Sequence, residues 1–435
     1  MRRVKISPWE MIRNPLRYFA HLADTQGPRA HLQLGDRHFY LLNDPELIRD
    51  LLITQGALFE KFPRIERTKG LFGEGLLTSE DPVHLRQRRL MQPAFQRERI
   101  AEYGRMMTRC TQALMANWRD GQEIEATAAM SELTLEIVAR SLFTTEAGDK
   151  ATTIAHELEV VLKMLNQLVM PWGPLLLGLP LPASLRYRAA LRQLDAIVYG
   201  IIDERLACGR EHDDLLGMLL SVRDADTGER MDRLQIRDEV MTIFVAGHET
   251  AANALAWTLY LLSENPEARQ QLEAELDAVL GARPPGPEDY PQLPFCQRVF
   301  QEAMRLYPPV WILGRRALAP YTFQDFTATK GSVLLVSMAV LHRRAEFFPE
   351  PDHFLPDRWL QSTAPKFAAL PFGGGARLCI GERYAWMEGV LCLANLAQRF
   401  RLDLLPGNQV EPLGLLTLRP KHGLRMRVSA RVEQR

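Results

Sequence analysis

The segment Phe372-Gly-Gly-Gly-Ala-Arg-Leu-Cys379-Ile-Gly381 is the most informative stretch of this 435-residue sequence. Its three consecutive glycines allow the backbone to turn tightly and to approach a flat ligand closely. A strongly helical pattern follows from residue 382 to about 400. The sulfur of Cys379 would therefore lie near the positive end of a helix dipole, where backbone N–H groups stabilise a thiolate. Arg377 adds a fork of donors suited to a carboxylate.

The glycine triplet alone has a simpler interpretation, a tight turn with a buried structural cysteine. Phosphate binding is disfavoured, because no Lys-Ser/Thr pair follows the glycines. The full spacing Phe-x-x-Gly-x-Arg-x-Cys-x-Gly is far more specific, and it resembles the haem-binding loop of the cytochrome P450 family at every defining position. The resemblance implies that Cys379 is the axial ligand of a haem b iron. It also implies that Phe372, Arg377 and Gly381 lie against the haem.

Composition limits the function classes. The chain is 46% hydrophobic and 24% charged, which is typical of a globular protein. Lys plus Arg (53) balances Asp plus Glu (53), so a dedicated nucleic-acid binder is disfavoured. Five scattered cysteines without a Cys-x-x-Cys pair favour a reducing cytosol over disulfides or structural zinc.

Membrane insertion is also disfavoured by the sequence. The N-terminus is too charged for a signal peptide, and the charge-free stretch 164–185 contains four prolines that would break a spanning helix. We therefore expect a soluble, cytoplasmic protein without a transmembrane anchor.

The hydrophobic periodicity predicts a mainly α fold with small β-sheets. Apolar residues recur every three or four positions through a helical body from about 82 to 282, most clearly at 130–143, 189–208 and 234–264. Asp44 is expected to cap an earlier helix, with Pro45 in its first turn.

Strand-like patterns occur near both ends of the chain. Alternation predicts a hairpin within a β-rich patch at about 29–44, and a buried strand within a second patch at about 315–340. A third patch, at about 413–428, is expected to be a hairpin that turns at Lys421-His-Gly423.

Glu302 and Arg305 lie one turn apart in a predicted helix, a spacing that alone is typical of a solvated surface pair. They are followed by Leu-Tyr-Pro-Pro309, and Arg358 occurs further along. The arrangement resembles the Glu-x-x-Arg helix of the P450 family and its later arginine. This implies a buried ion network of Glu302, Arg305 and Arg358 that braces the haem loop, and such a network specifies geometry more than it adds stability.

Val245-Ala-Gly-His-Glu-Thr250 lies within a long predicted helix. A mid-helix glycine costs about 1 kcal/mol relative to alanine, so a close approach by a ligand is one explanation for it. The alternative is a kinked helix whose threonine bonds to its own backbone. The hexapeptide resembles the oxygen-activation motif of the same family. This implies that Glu249 and Thr250 relay protons and that Ala246 lies on the haem face.

Two further places resemble propionate-binding positions of the family. His84 and Arg88 lie four residues apart in a predicted helix, where the alternative is an exposed basic face. Arg315 and Arg316 follow a Pro-Pro turn, and Arg315 is favoured over Arg316, although a shift of one residue stays open. The resemblance implies that His84, Arg88, Arg315 and Arg377 neutralise the haem propionates.

Taken together, the motifs imply a single haem domain spanning 1–435, a triangular prism with haem between a long central helix and the helix after the cysteine loop. The implied activity is that of a haem-thiolate monooxygenase, because a thiolate ligand favours O–O cleavage.

A haem sensor or carrier would need neither Glu249 nor Thr250, and peroxide-dependent relatives typically lack this acid–alcohol pair. A haem-free cysteine hydrolase would need a His–acid partner, which no signature supplies.

Because the resemblance to a haem domain extends over nearly the whole chain, we expect no flavin or iron–sulfur domain within it. O2 would therefore be used with NAD(P)H-derived electrons from a separate ferredoxin and ferredoxin reductase, and the basic helix at 86–99 could dock an acidic donor. We expect a monomer.

The apolar segment 168–182 falls where the family places its access lid, unless it is an ordinary packed loop. A lid suits a hydrophobic substrate, such as a terpenoid, a carotenoid or a fatty acid, delivered in transient contact with a membrane. The candidate pocket residues, placed by analogy with the family, are Leu76, Phe244, Val310, Ile312 and Leu416.

Overall fold

The structure, a computed structural model, describes residues 3–5, 8–63, 65–143, 148–168, 173–208, 214–224 and 228–431. Residues 169–172 of the predicted access lid lie outside this set. Within it the protein is mostly helical, with small sheets, as predicted.

The helices of the described residues are numbered in chain order. They are α1 (Pro8–Arg13), α2 (Pro15–Gln26), α3 (Pro45–Arg49), α4 (Lys69–Phe72), α5 (Val83–Met91), α6 (Arg97–Met115), α7 (Ala126–Phe143), α8 (Gly148–Leu168), α9 (Gly173–Gly178), α10 (Pro182–Cys208), α11 (Leu215–Ser221), α12 (Arg233–Glu264), α13 (Pro266–Leu280), α14 (Pro294–Leu306), α15 (Met338–Leu341) and α16 (Glu382–Arg399). The three most periodic stretches of the sequence correspond to α7, α10 and α12.

The predicted start of α3 is confirmed. Asp44 has an extended backbone, and its carboxylate accepts the N–H groups of Glu46 and Leu47 at 3.0 and 3.2 Å. Pro45 occupies the first turn, where its missing N–H is not needed.

The strands are short and form several separate sheets. They are β1 (Arg3–Lys5), β2 (Arg29–Leu34), β3 (Arg37–Leu42), β4 (Phe59–Lys61), β5 (Glu123–Glu125), β6 (Leu313–Ala317), β7 (Tyr321–Phe323), β8 (Phe326–Ala328), β9 (Val333–Val336), β10 (Phe400–Leu404), β11 (Pro412–Gly414), β12 (Leu418–Pro420) and β13 (Arg425–Ala430). A six-stranded sheet has the order β1-β2-β3-β9-β6-β4, and it joins the predicted N-terminal hairpin to the strands after α14. β10, β13 and β5 form a second sheet, while β7–β8 and β11–β12 are two-stranded.

The prediction for the C-terminal hairpin is wrong in its turn position. β11 pairs with β12, so this hairpin turns at residues 415–417, and β13 pairs instead with β10 and β5. Gly423 has a φ of 69°, a left-handed conformation that redirects the chain into the other sheet.

β5 also interrupts the predicted helical body. The local sequence gave no signal for this strand, because its partner β13 lies about 300 residues away.

Helix α12 passes through the largest hydrophobic core, which it shares with α6, α7, α14 and α16. Most of its side chains are buried, and Trp257 is fully buried. Smaller cores lie between the six-stranded sheet and its flanking segments. Among the described residues, no helix combines the length and apolar character that are needed to cross a bilayer.

Candidate active site

The cysteine loop has the tight backbone that its glycines predicted. Gly373 and Gly375 have φ values of 75° and 70°, and a side chain on Gly375 would overlap the backbone carbonyl of Leu52. The Cys379 N–H donates to the Phe372 carbonyl at 3.0 Å. Glycine is therefore required at residue 375 both by its conformation and by the space available.

Cys379 lies at the start of α16, as predicted. The N–H of Gly381 hydrogen-bonds to the sulfur and, with the Arg88 guanidinium, lowers the pKa of the thiol, but burial outweighs both and leaves this pKa raised. The Cys379 side chain nevertheless keeps accessible surface, and so does Ala246 in the otherwise buried middle of α12. These two accessible surfaces, each set deep in the fold, indicate an internal cavity between α12 and the cysteine loop.

A cluster of half-buried cations lies beside the cysteine loop. Burial, followed by the nearby Arg377, lowers the pKa of Arg315 to about 10 and that of Lys61 to about 7. Arg88 donates to the Leu378 carbonyl at 2.6 Å, and burial lowers its pKa as well. Depressed pKa values on several neighbouring cations indicate a place where an anion would be stabilised. Lys61 was not predicted, because it enters through the pairing of β4 with β6.

Acidic residues compensate only part of this charge. Arg377 donates to Glu80 at 2.5 Å and lies 3.3 Å from Asp81. His84 is buried with its Nδ1 3.4 Å from Asp81 and without a hydrogen-bond partner in the described structure. Burial and Arg377 lower the pKa of His84 to about 3, so its ring is neutral at pH 7.

The strand β6 separates the two candidate arginines. Arg316 pairs with Glu60 and lies 4.0 Å from Glu66. Arg315 is paired in register with Lys61, and its charge interacts with Arg377 and Glu80. Because successive side chains of a strand point to opposite faces, Arg315 faces the cation cluster and Arg316 faces the acids.

The distal motif of α12 shows the second of the two interpretations that its sequence allowed, a threonine bonded to its own backbone. The Thr250 hydroxyl donates to the Ala246 carbonyl at 2.6 Å, which is the predicted alternative of a bond to its own backbone. Glu249 accepts from Thr417 at 2.7 Å, a partner that its own sequence neighbourhood did not reveal. His248 contacts Ser131 of α7 at 2.8 Å.

The predicted ion network forms a compact buried unit. Arg305 donates twice to Glu302, at 2.8 Å each, and Arg358 donates to the same carboxylate at 2.8 Å. Trp359, which was not predicted, adds its indole N–H to Glu302 at 2.9 Å. Arg305 also donates to the His342 carbonyl at 2.9 Å, and the His342 ring accepts the Leu370 N–H at 2.9 Å. The network is therefore connected to the segment that leads into the cysteine loop.

The predicted pocket residues are placed unequally. Leu76, Ile312 and Leu416 are half-buried, and Val310 is 40% exposed. The prediction for Phe244 is wrong, because its ring is fully buried against Phe143 at 5.4 Å. Two helical positions separate Phe244 from Ala246, a rotation of about 200° that puts it on the opposite side of α12.

Leu76 is held by two ionisable side chains that the sequence did not single out, the buried Glu239 and the half-buried Lys61. Its N–H donates to Glu239 of α12 at 2.9 Å, and its carbonyl accepts from Lys61 at 2.8 Å. Asp238 accepts the Glu74 N–H at 2.8 Å beside them. The segment before α5 is thus anchored both to α12 and to the cation cluster.

The helix predicted to dock an electron donor is partly occupied by internal ion pairs. Arg86 and Arg89 lie 3.6 and 3.5 Å from Asp224, and Arg86 lies 3.4 Å from Glu229. Their charges are therefore partly neutralised within the chain.

Comparison with known proteins agrees with the fold and the site. The sequence model of the cytochrome P450 family matches residues 7–424, and the chain belongs to this family. It is 39% identical to the cyclooctatin synthase of Streptomyces melanosporofaciens, over 94% of this chain and 90% of that protein. It is 35% identical to the pentalenene oxygenase of Streptomyces avermitilis, over 97% and 94%. The crystal structure of the cytochrome P450DA heme domain is similar at a TM-score of 0.87 and 29% identity, covering 96% of this chain and 94% of that one.

The protein is therefore an oxidoreductase of the P450 monooxygenase class, and the family implies a haem cofactor. The residues present fit that group. Cys379 keeps accessible surface, and the half-buried cations beside its loop, with a His84 Nδ1 that has no hydrogen bond in the described structure, match the two carboxylates of a haem.

Proposed function

We propose that this protein is a single-domain haem-thiolate monooxygenase that inserts one atom of O2 into a hydrophobic, terpenoid-like substrate. The observation that carries the proposal is the accessible Cys379 at the end of the glycine loop, with the half-buried cation cluster beside that loop. The substrate class is supported by relatives whose names are those of terpenoid-oxidising enzymes, cyclooctatin synthase and pentalenene oxygenase.

The proximal residues bind and orient the cofactor. Cys379 supplies the thiolate ligand, and Phe372 and Gly381 shape the loop around it. The propionates are held by Arg88, Arg315, Arg377 and His84. The neutral His84 acts as a hydrogen-bond donor. Haem with a thiolate ligand supplies the oxygen-activating chemistry when it is bound.

The distal residues leave room for the cofactor and take part in proton transfer. Ala246 leaves room for a flat ligand against α12. Thr250 presents its hydroxyl on the same face, one turn further along the helix, and burial raises the pKa of the Glu249 carboxyl, which favours its protonated form. Glu302, Arg305 and Arg358 keep the cysteine loop in place through Leu370.

Electrons are proposed to come from NAD(P)H through a separate ferredoxin and its reductase. The ring of Phe95 lies 3.8 Å from the Cβ position of Gly381, which puts the start of α6 beside the cysteine loop. Arg97 on α6 and Arg383 in the first turn of α16 are exposed there. Arg97, which lies within the predicted basic stretch 86–99, and Arg383 are the proposed contacts for an acidic donor, whereas Arg86 and Arg89 are partly neutralised within the chain.

Replacement of the axial ligand tests the proposal. Wild-type protein loaded with haem should show the red-shifted Soret band of a thiolate-ligated, reduced carbonyl complex, and Cys379→Ser should lose it. Cys208→Ser, which changes another exposed thiol, is the matched control and should keep the band. A thiolate spectrum that survives in Cys379→Ser would contradict the assignment of the ligand.

The substrate class is tested by spin-shift titration of the haem-loaded protein. Terpene hydrocarbons and alcohols should shift the spectrum at lower concentrations than fatty acids or carotenoids do. NAD(P)H-dependent product formation with surrogate donors would separate an enzyme from a sensor or carrier, while turnover with peroxide alone would support a peroxide-dependent enzyme. A response confined to fatty acids would overturn the terpenoid proposal and leave the monooxygenase proposal intact.

A further inference from the structure

The C-terminal hairpin β11–β12 reaches the distal motif of α12. Thr417 at its tip is buried, and its hydroxyl donates to Glu249 Oε1 at 2.7 Å. Asn253, one turn further along α12, donates its amide to Thr417 Oγ1 at 3.2 Å and to the Glu249 carbonyl at 2.9 Å. The three side chains form a directed hydrogen-bond chain from amide to hydroxyl to carboxylate.

The tip of the hairpin is fixed on both sides of Thr417. The indole N–H of Trp311 donates to the Leu415 carbonyl at 2.8 Å, and the Asn166 amide oxygen accepts the Leu416 N–H at 2.9 Å. Because its neighbours are held by separate elements, the Thr417 hydroxyl has little freedom to follow a moving carboxylate. It therefore sets the position of the carboxylate.

The two oxygens of Glu249 differ in their surroundings. Oε1 accepts the hydrogen bond from Thr417, whereas Oε2 is buried without a hydrogen-bond partner in the part of the chain that the structure describes. Burial raises the pKa of Glu249, while the Thr417 hydroxyl and the positive Arg419 lower it. The neighbouring His248 faces Ser131 instead. A proton on this carboxyl therefore belongs on Oε2, since Oε1 is occupied as an acceptor.

We propose that Thr417 and Asn253 are positioning residues that orient the Glu249 carboxyl, so that Oε2 holds and releases the proton used with Thr250. The inference rests on the proposed function, because Glu249 has a proton to deliver only in an oxygen-activating enzyme. It also assigns to the C-terminal hairpin, which carries the candidate pocket residue Leu416, a direct contact with the proton-holding group.

The protonation state of Glu249 can be followed by pH-dependent infrared difference spectra of the haem-loaded protein, with Glu249→Gln identifying its carboxyl band. Thr417→Val removes a hydroxyl that stabilises the carboxylate, so it should raise the Glu249 pKa by about one unit. Thr417→Ser keeps the hydroxyl and should return the pKa close to the wild-type value. Asn253→Leu should shift the pKa in the same direction as Thr417→Val, and by less.

Thr258→Val is the matched control. Thr258 is equally buried on α12, but its hydroxyl donates only to the Ala254 carbonyl at 2.7 Å, so the Glu249 pKa should not change. An unchanged pKa in Thr417→Val, or a failure of serine to restore it, would overturn the proposal. A wild-type protein that lacks the thiolate spectrum would instead refute the proposed function. The carbonyl spectrum of each variant serves as a folding control, because a misfolded variant would lose it, whereas a variant with only a shifted Glu249 pKa would keep it.

Discussion

Burial in this fold strongly shifts the pKa of individual acidic and basic side chains, and Glu239 is one example. Glu239 is fully buried, with one oxygen bonded to the Leu76 N–H and the other without a hydrogen-bond partner in the described structure. Burial, which outweighs the hydrogen bond from Leu76, raises its pKa to about 8. Glu239 therefore stays protonated in the folded chain at pH values where the unfolded chain has lost the proton.

The raised pKa of Glu239 predicts that this residue makes the stability of the protein depend on pH. Between the ordinary pKa of a glutamate, about 4.3, and about 8, Glu239 keeps a proton in the folded state that it loses in the unfolded state, so its contribution to stability falls as pH rises through this window. Glu239→Gln should remove this contribution, and its stability relative to wild type should increase with pH by up to about 1.4 kcal/mol per unit.

Urea unfolding of both proteins at several pH values from 5 to 8 measures this difference. Glu264→Gln, at the end of α12, controls for the loss of one carboxylate. Parallel stability curves for wild type and Glu239→Gln would show that Glu239 is ionised in the folded protein.

At the scale of elements, close helix contacts hold the cysteine-loop helix in place. α16 packs against α14 at Gly389, where a methyl group would overlap the ring of Phe300. The approach brings α16, which begins beside Cys379, against the helix that carries Glu302 and Arg305. One glycine thus links the position of the helix after the cysteine loop to that of the helix with the Glu302–Arg305 ion pair.

Gly389→Ala is expected to destabilise the protein by about 1–3 kcal/mol through overpacking, although alanine favours a helix. Gly200→Ala in α10 is the matched control, because nothing lies within 4 Å of its Cβ position, and it should stabilise by about 0.4–1 kcal/mol. Chemical unfolding of the two variants measures both effects. Adding Phe300→Leu should recover part of the loss in Gly389→Ala, and equal effects of the two alanine variants would contradict the close contact.

At the scale of the whole molecule, a net charge of zero conceals a local asymmetry. The cations of the cluster are half-buried beside the cysteine loop, whereas Arg97 and Arg383 are exposed near the same loop. A basic surface close to the cysteine is suited to an acidic electron donor, since complementary charge mainly increases the rate of association.

Charge reversal at Arg383 tests this surface. Arg383→Glu should slow reduction by ferredoxin by roughly tenfold at low salt, and the difference should shrink as salt shortens the Debye length. Stopped-flow formation of the reduced carbonyl complex measures the rate. Arg37→Glu, at an exposed arginine of β3, makes the same charge change and should have little effect. Equal rates for the two variants at low salt would place the donor elsewhere.

The sequence by itself determined the family, the mainly α fold and the residues of the motifs, because each motif is a short run whose spacing is fixed by local geometry. Cys379, Glu302, Arg305 and Glu249 could all be identified in this way. Tertiary structure alone decided their partners. Thr417 reaches Glu249 across 168 residues, and Lys61 enters the cation cluster through strand pairing. The tertiary structure also placed Arg315 and Arg316 on opposite faces of β6 and buried Phe244 in the core. The direction of each side chain depends on what packs against the two faces of its strand or helix.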